Sequence, residues 1–216
     1  MNIYDDYIQM IHDCSFRIDP AWIYPEEGRD LFYRASYQPL LYLLTQAFQP
    51  TSILEIGVRA GYSAMALLDA CPDATYIGLD NASDTECDKG MLDWAEQIII
   101  GKFGNARIIR TDTQKELLPA EVRGKTWDMV FIDGDHSTLG VNHDLNSIWP
   151  LVKEGGRILM HDLWHQSVVS GLGLFLQNSR PWFSMHTFRA VHGGIILLTK
   201  ERDPWHDPAC RNFDRL

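Results

Sequence analysis

Residues 51–63, TSILEIGVRAGYS, pass from a near-continuous apolar run into a turn with glycines at 57 and 61, and then into helix-compatible residues. An apolar run without polar alternation reads as a strand covered on both faces, the mark of a parallel sheet in a doubly wound α/β fold. Glycines between a strand and a helix let the backbone approach a ligand closely and leave the helix amides pointing at its anionic part. The spacing is E-x-G-x-x-x-G, from Glu55 through Gly57 to Gly61, with Tyr62 and Ser63 behind it. It differs from the G-x-G-x-x-G of dinucleotide binders, so a pyrophosphate is disfavoured. Read alone, the stretch also fits a plain tight turn.

Working outward, the same rhythm repeats. Strand-like runs lie at 51–57, 74–80, 105–112, 126–133, 155–162, 182–190 and 194–200, with helical stretches at 61–71, 86–103, 114–122, 138–152 and 167–178. Five such alternations followed by two neighbouring β runs predict a Rossmann-like, mainly parallel seven-stranded sheet with helices on both faces, closed by an antiparallel pair. Residues 1–49 stand outside the rhythm. They are rich in aromatics, among them Trp22, Tyr24, Tyr33 and Tyr37, and end in the helix-like run PLLYLLTQAF. Two readings stand for this extension of the 50–216 domain: helices packed on the sheet, or a lid over the strand ends. If it stands off the sheet, its apolar surface points to a homo-oligomer.

The chain has 216 residues, 45% of them hydrophobic, with 19 Lys+Arg against 29 Asp+Glu and a net charge of −10. That composition is globular, and without a basic run it offers no counterion-releasing surface, which argues against nucleic acid and anionic membrane as partners. The cysteines, Cys14, Cys71, Cys87 and Cys210, form no metal spacing and read as reduced thiols. No run is long enough for a membrane span, and the start MNIYDDYIQM is acidic, unlike a secretory signal. A cytoplasmic location is the expectation.

Four acidic strand ends follow the glycine turn. Asp80 closes IGLD, about where an acid accepts hydrogen bonds from a ribose diol. Asp112 closes IIRTD and fits either an acceptor for the exocyclic amine of adenine or an N-cap for the next helix. The fourth and fifth strands end in Asp133-Gly134-Asp135-His136 and His161-Asp162. Adjacent strands would deliver both sets to one crevice. Two carboxylates and an imidazole can bind a divalent ion that lowers the pKa of a substrate hydroxyl.

Together EIGVRAGYSA, IGLD, FIDGDHS and GGRILMHD resemble the class I S-adenosylmethionine-dependent methyltransferases over roughly residues 36–200. FIDGDHS with the HD-ending strand is similar to the branch that holds macrocin-type sugar O-methyltransferases and cephalosporin-tailoring proteins. The resemblance implies a strand order of 3-2-1-4-5-7-6 and places Glu55, Gly57, Gly61 and Ser63 at the methionine part of S-adenosyl-L-methionine. It further implies Asp80 at the ribose, Asp112 at the adenine edge, Asp133 beside the cofactor and His136 as general base. A metal would sit among Asp133, His161 and Asp162. In the metal-dependent branch the fifth-strand position carries two adjacent oxygen ligands, whereas here it reads His161-Asp162-Leu163. An imidazole there shifts preference from Mg²⁺ toward softer ions such as Mn²⁺, or leaves no metal.

The reading is an O-methyltransferase acting on a hydroxyl of a small molecule, a sugar or other secondary metabolite. Two alternatives stay open: a non-catalytic binding protein for the same cofactor, and an NAD-dependent oxidoreductase, which the glycine spacing disfavours.

Overall fold

The computed structural model describes residues 7–22, 37–82, 90–179 and 181–202. Its strands are β1 (Ser52–Ile56), β2 (Thr75–Asp80), β3 (Ala106–Arg110), β4 (Trp127–Ile132), β5 (Val152–His161), β6 (Phe183–Phe188) and β7 (Ile195–Lys200). They form one seven-stranded sheet of order β3-β2-β1-β4-β5-β7-β6. The pairs from β3 to β5 are parallel, and β7 runs antiparallel to both β5 and β6. The near-continuous apolar runs are the central strands: β1 and β4 are buried almost throughout, while edge strands β3 and β6 are largely exposed or half-buried. Helices on both faces close two cores, one including Leu41, Met65 and Phe131, the other Val130, Leu145 and Phe175.

The helices are α1 (Tyr7–Asp13), α2 (Tyr37–Phe48), α3 (Tyr62–Ala70), α4 (Met91–Lys102), α5 (Ala120–Arg123), α6 (Thr138–Ile148) and α7 (Gln166–Ser179). Three boundaries differ from expectation. The 114–122 helix shrinks to α5, because Asp112 caps a turn instead and Pro119 has no N–H to continue a ladder. The 138–152 helix stops at Ile148 and tightens into a 3₁₀ turn at Trp149–Leu151, which contains Pro150. The 86–103 helix begins at Met91 behind a left-handed Gly90, and 83–89 lie outside the described residues.

The described part of the N-terminal extension lies on the body of the fold. Cys14, Phe16 and Ile18 are buried, Phe16 stacks on Tyr42, and the Ala190 amide donates to the Tyr7 hydroxyl at 3.0 Å. That surface is therefore withdrawn from the argument for a homo-oligomer. Tyr24 and Tyr33 lie outside the described residues. Among the described residues no helix is long and apolar enough to cross a membrane.

Candidate active site

A cavity of about 450 Å³ opens at the carboxyl ends of β1–β4, a size usual for small-ligand sites. Gly57, Asp80, Asp112, Asp133 and His136 line it, so five of the residues singled out from the sequence meet at one place. The sheet order explains the meeting: β1 and β4 are neighbours in its middle, and each strand delivers its terminal residue to the same rim.

The glycine turn is built more for the protein than for a ligand. Gly57 has φ of +88°, and a Cβ on it would lie 2.1 Å from the Asp133 carbonyl oxygen. Only a glycine lets β4 close against the end of β1 there, with the Asp133 amide donating to Ile56 O at 2.8 Å. Gly61 packs beneath α4 against Ala95 and Ile99 and does not line the cavity. Nor do Glu55 and Ser63. Glu55 is 0% exposed, with its carboxyl hydrogen-bonded to the Ser63 hydroxyl and, at 2.7 Å, to the Tyr76 hydroxyl. Burial pushes Glu55 up to about 8, against the pull of those two hydrogen bonds.

Asp80 holds the turn in place. Its Oδ2 accepts the backbone N–H groups of Val58 and Arg59, both at 2.9 Å, and its Oδ1 accepts from Ala82 at 2.8 Å. Asp112 is also engaged locally: Oδ1 accepts from the Gln114 amide at 3.0 Å and Oδ2 from Lys115 Nζ at 2.7 Å. That lysine holds Asp112 below the usual carboxylate range. Asp112 thus caps a turn and not a helix, on a side chain that still lines the cavity.

Toward β5 the chemistry changes. His136 Nε2 lies 3.2 Å from both Asp133 Oδ1 and Asp162 Oδ2, and His161 Nδ1 faces the same two oxygens at 3.3 and 3.4 Å. His161 Nε2 donates to the His192 carbonyl at 3.0 Å, which fixes its ring. Burial pulls the His161 imidazole down, but the two carboxylates outweigh it and push it up to about 10. Burial likewise raises Asp133, and the hydrogen bonds from His136 and His161 overcome that and hold it at about 2. His136 is raised, first by its bond to Asp133.

The backbone at β5's end is shaped for this cluster. Asp162 has φ of +61°, a left-handed conformation that Asp tolerates better than most residues and that turns its carboxylate back toward His136. Gly193 closes over it: a Cβ there would lie 2.5 Å from His161 Nε2 and 2.6 Å from Asp162 Oδ1.

Three donors, on Asp133, His136 and Asp162, lie within 4.8 Å of one another, close enough to share a divalent ion. Their chemistry fits one, since among the described residues the facing carboxylate oxygens meet imidazoles and no lysine or arginine. The histidine that completes this set is His136, while His161 stands beside it with only Nδ1 turned inward.

Other neighbours escaped the sequence reading. Tyr37 lays its ring on His161 with centroids 4.3 Å apart, and burial together with the charges of Asp133, Glu55 and Asp162 raises its phenol well above the ordinary value. His165 packs by His136 at 5.6 Å between rings, and Trp164, 60% exposed, stands by His192. His165 is exposed, at the rim of the cluster. Asp135 bonds the Ser137 amide and hydroxyl at the start of α6, so the second acid of D-G-D-H is architectural.

A family model described as a methyltransferase domain matches residues 54–163, half of the chain. The chain belongs to that family. It is an S-adenosylmethionine-dependent methyltransferase, and the oxidoreductase alternative falls away. No individual curated protein matches it in sequence. Solved structures share the fold of this methyltransferase at low identity. A Podospora anserina methyltransferase solved with S-adenosylhomocysteine is 16% identical, covers 92% of this chain and 95% of its own, and has a TM-score of 0.65. The Streptomyces achromogenes O-methyltransferase TomG, involved in tomaymycin synthesis and solved with S-adenosylmethionine, is 18% identical, with 92% and 97% covered and a TM-score of 0.63. A Bacillus cereus O-methyltransferase solved with S-adenosylhomocysteine is 17% identical, with 91% and 98% covered and a TM-score of 0.60.

Proposed function

We propose that this methyltransferase acts on a hydroxyl oxygen of a small molecule, a sugar or other secondary metabolite, as the macrocin-like D-G-D-H motif suggests. The observation that carries the reading is the Asp133–His136–His161–Asp162 group set against the 450 Å³ cavity. Two of the similar structures are O-methyltransferases, which supports an oxygen acceptor.

Bound S-adenosylmethionine supplies a methyl group on a sulfonium, and a divalent ion held by Asp133, His136 and Asp162 would polarise the acceptor hydroxyl. The residues of the chain do the rest. Asp80 faces the ribose, Asp112 the adenine end, and Glu55, Gly57, Gly61 and Ser63 set the shape of the turn at the methionine end. In the metal-free route, the His136 imidazole takes the hydroxyl proton at Nδ1, the nitrogen not turned to the two carboxylates, as the new O–C bond forms and the S–C bond breaks. Its partly exposed ring can reach an acceptor, and the flanking carboxylates make it more basic. His161 offsets the charge of Asp133 and Asp162. Much of the acceleration comes from holding two reactants in line in a water-poor crevice.

The full chain, incubated with S-adenosylmethionine and a panel of hydroxylated acceptors with and without chelator, should add one methyl mass to a sugar or secondary metabolite at oxygen. Transfer only to nitrogen or carbon would overturn the O-methyl reading, and full activity under chelation would remove the metal.

A further inference from the structure

Asp144, in the second turn of α6, has no part in the chemistry above, although it is a carboxylate only 1% exposed. Its Oδ1 accepts from Thr113 Oγ1 at 2.9 Å and from Gln114 Nε2 at 2.8 Å. Its Oδ2 has no hydrogen-bond partner among the described residues. Leaving a buried acceptor unsatisfied costs about 1–3 kcal/mol, so the position invites a reason. Burial pushes the carboxyl up to about 6, partly offset by the Thr113 hydroxyl.

The reason lies in what Asp144 grips. Thr113 and Gln114 line the cavity immediately after Asp112. An ionised carboxylate accepts only from the NH₂ side of an amide, so the 2.8 Å bond sets which way the Gln114 side chain is turned. The same nitrogen lies 3.4 Å from the Gly140 carbonyl on α6, which agrees with that orientation. Gln114 Oε1 is thereby turned away from α6 and has no donor among the described residues. Asp112, next to it, already spends one oxygen on the Gln114 amide and the other on Lys115.

We propose that Asp144 is a positioning residue for cofactor recognition: it locks the Gln114 amide so that Oε1 accepts from the exocyclic amine of a bound adenine. The inference rests on the reading that the adenosine of the cofactor occupies the 450 Å³ cavity. An amide fixed in this way favours a 6-amino purine over a 6-oxo purine, which would set oxygen against oxygen. Without Asp144 the amide is free to flip, and the preference fades.

Calorimetry with S-adenosylhomocysteine and S-inosylhomocysteine on the full chain tests this. The parent should favour the adenosyl ligand by about tenfold or more, the worth of one good hydrogen bond. Asp144→Ala should bring the two ligands within about threefold, whereas Asp144→Asn, which can still turn a carbonyl toward Gln114, should keep most of the discrimination. Gln114→Ala should show the same loss, and adding Asp144→Ala to it should change the ratio no further. A merely structural Asp144 would lower Tm and leave the ratio alone, and that result overturns the inference. Should Asp144→Ala not fold, undiminished discrimination in Gln114→Ala overturns it equally. A parent that binds neither ligand, or that is indifferent to Asp80→Ala, would defeat the cavity reading itself and this inference with it. Normal binding with an Asp80 effect but a ratio untouched by both variants defeats only the role of Asp144.

Discussion

At the ends of β2 and β3, acids are held by the backbone: Asp80 accepts three amide N–H groups, and Asp112 accepts the Gln114 amide beside its lysine. At the ends of β4 and β5, Asp133 and Asp162 face imidazoles. An amide cannot give up its proton near neutrality, so the first arrangement is a fixed template suited to binding. An imidazole can, and two of them between two carboxylates make a place where protons or a cation exchange. On the proposed reading one crevice divides into a binding half and a chemical half, with Asp133 and His136 lining the cavity of the first while belonging to the second.

The hardest blow to that division is His136→Gln. It should lower turnover about 10²-fold or more, the usual share of a general base, and leave S-adenosylhomocysteine affinity nearly unchanged. Stopped-time methylation assays beside calorimetry would show it, and equal losses in both would merge the two halves. Next in size is Asp162→Asn, chosen over Ala because Asn also tolerates the left-handed backbone at φ +61°. Removing one charge from the cluster should weaken Mn²⁺ binding by about tenfold or more, read by paramagnetic resonance titration. Unaltered Mn²⁺ binding would place any ion elsewhere.

The same contrast explains what could be read from the sequence. The strand order is what the family resemblance implied, while the meeting of Gly57, Asp80, Asp112, Asp133 and His136 follows from their places at or just beyond the carboxyl ends of strands in a parallel sheet. The chemical half depends on contacts between elements remote in the chain. Tyr37 on His161, His192 holding its Nε2 and Gly193 closing over Asp162 have no local signature. Nothing in NHDLNS tells that the Asp144 carboxylate reaches the loop after β3. The 114–122 helix fails for a local reason, a turn-capping Asp112 and a Pro119 without an N–H, which outweighs its helical composition.

In the binding half, Asp80→Ala should weaken S-adenosylhomocysteine by roughly 1.5–3 kcal/mol, about 10- to 150-fold, as hydrogen bonds from a charged acceptor are worth. Because Asp80 also ties down Val58, Arg59 and Ala82, Asp80→Asn sharpens the result. Retaining one acceptor oxygen, it should recover part of the affinity. Calorimetry showing full affinity in a folded Asp80→Ala protein would mean that the template serves only the turn and that the ribose is held outside this cavity.

The smallest effect concerns Glu55, the acid that belongs to neither half because it is sealed beneath the turn with Ser63 and Tyr76. Burial raises it from 4.5 to about 8, opposite in direction to Asp133. For a carboxyl raised on folding, the folded chain binds the proton more tightly than the unfolded chain. Its stabilising contribution is therefore complete below pH 4.5, erodes as pH rises toward about 8, and is constant beyond. Glu55→Gln cannot ionise and escapes that erosion, while its amide can still accept from one hydroxyl. Relative to the parent, its Tm should gain a few degrees between pH 5 and pH 8 and then hold level, in thermal scans by circular dichroism. A Tm difference that does not move with pH would mean Glu55 stays charged in the fold. If S-adenosylhomocysteine affinity at pH 7 also changes by no more than about threefold, Glu55 acts through the turn; a larger loss would give its carboxylate a direct hold on the methionine ammonium and extend the binding half beneath Gly57.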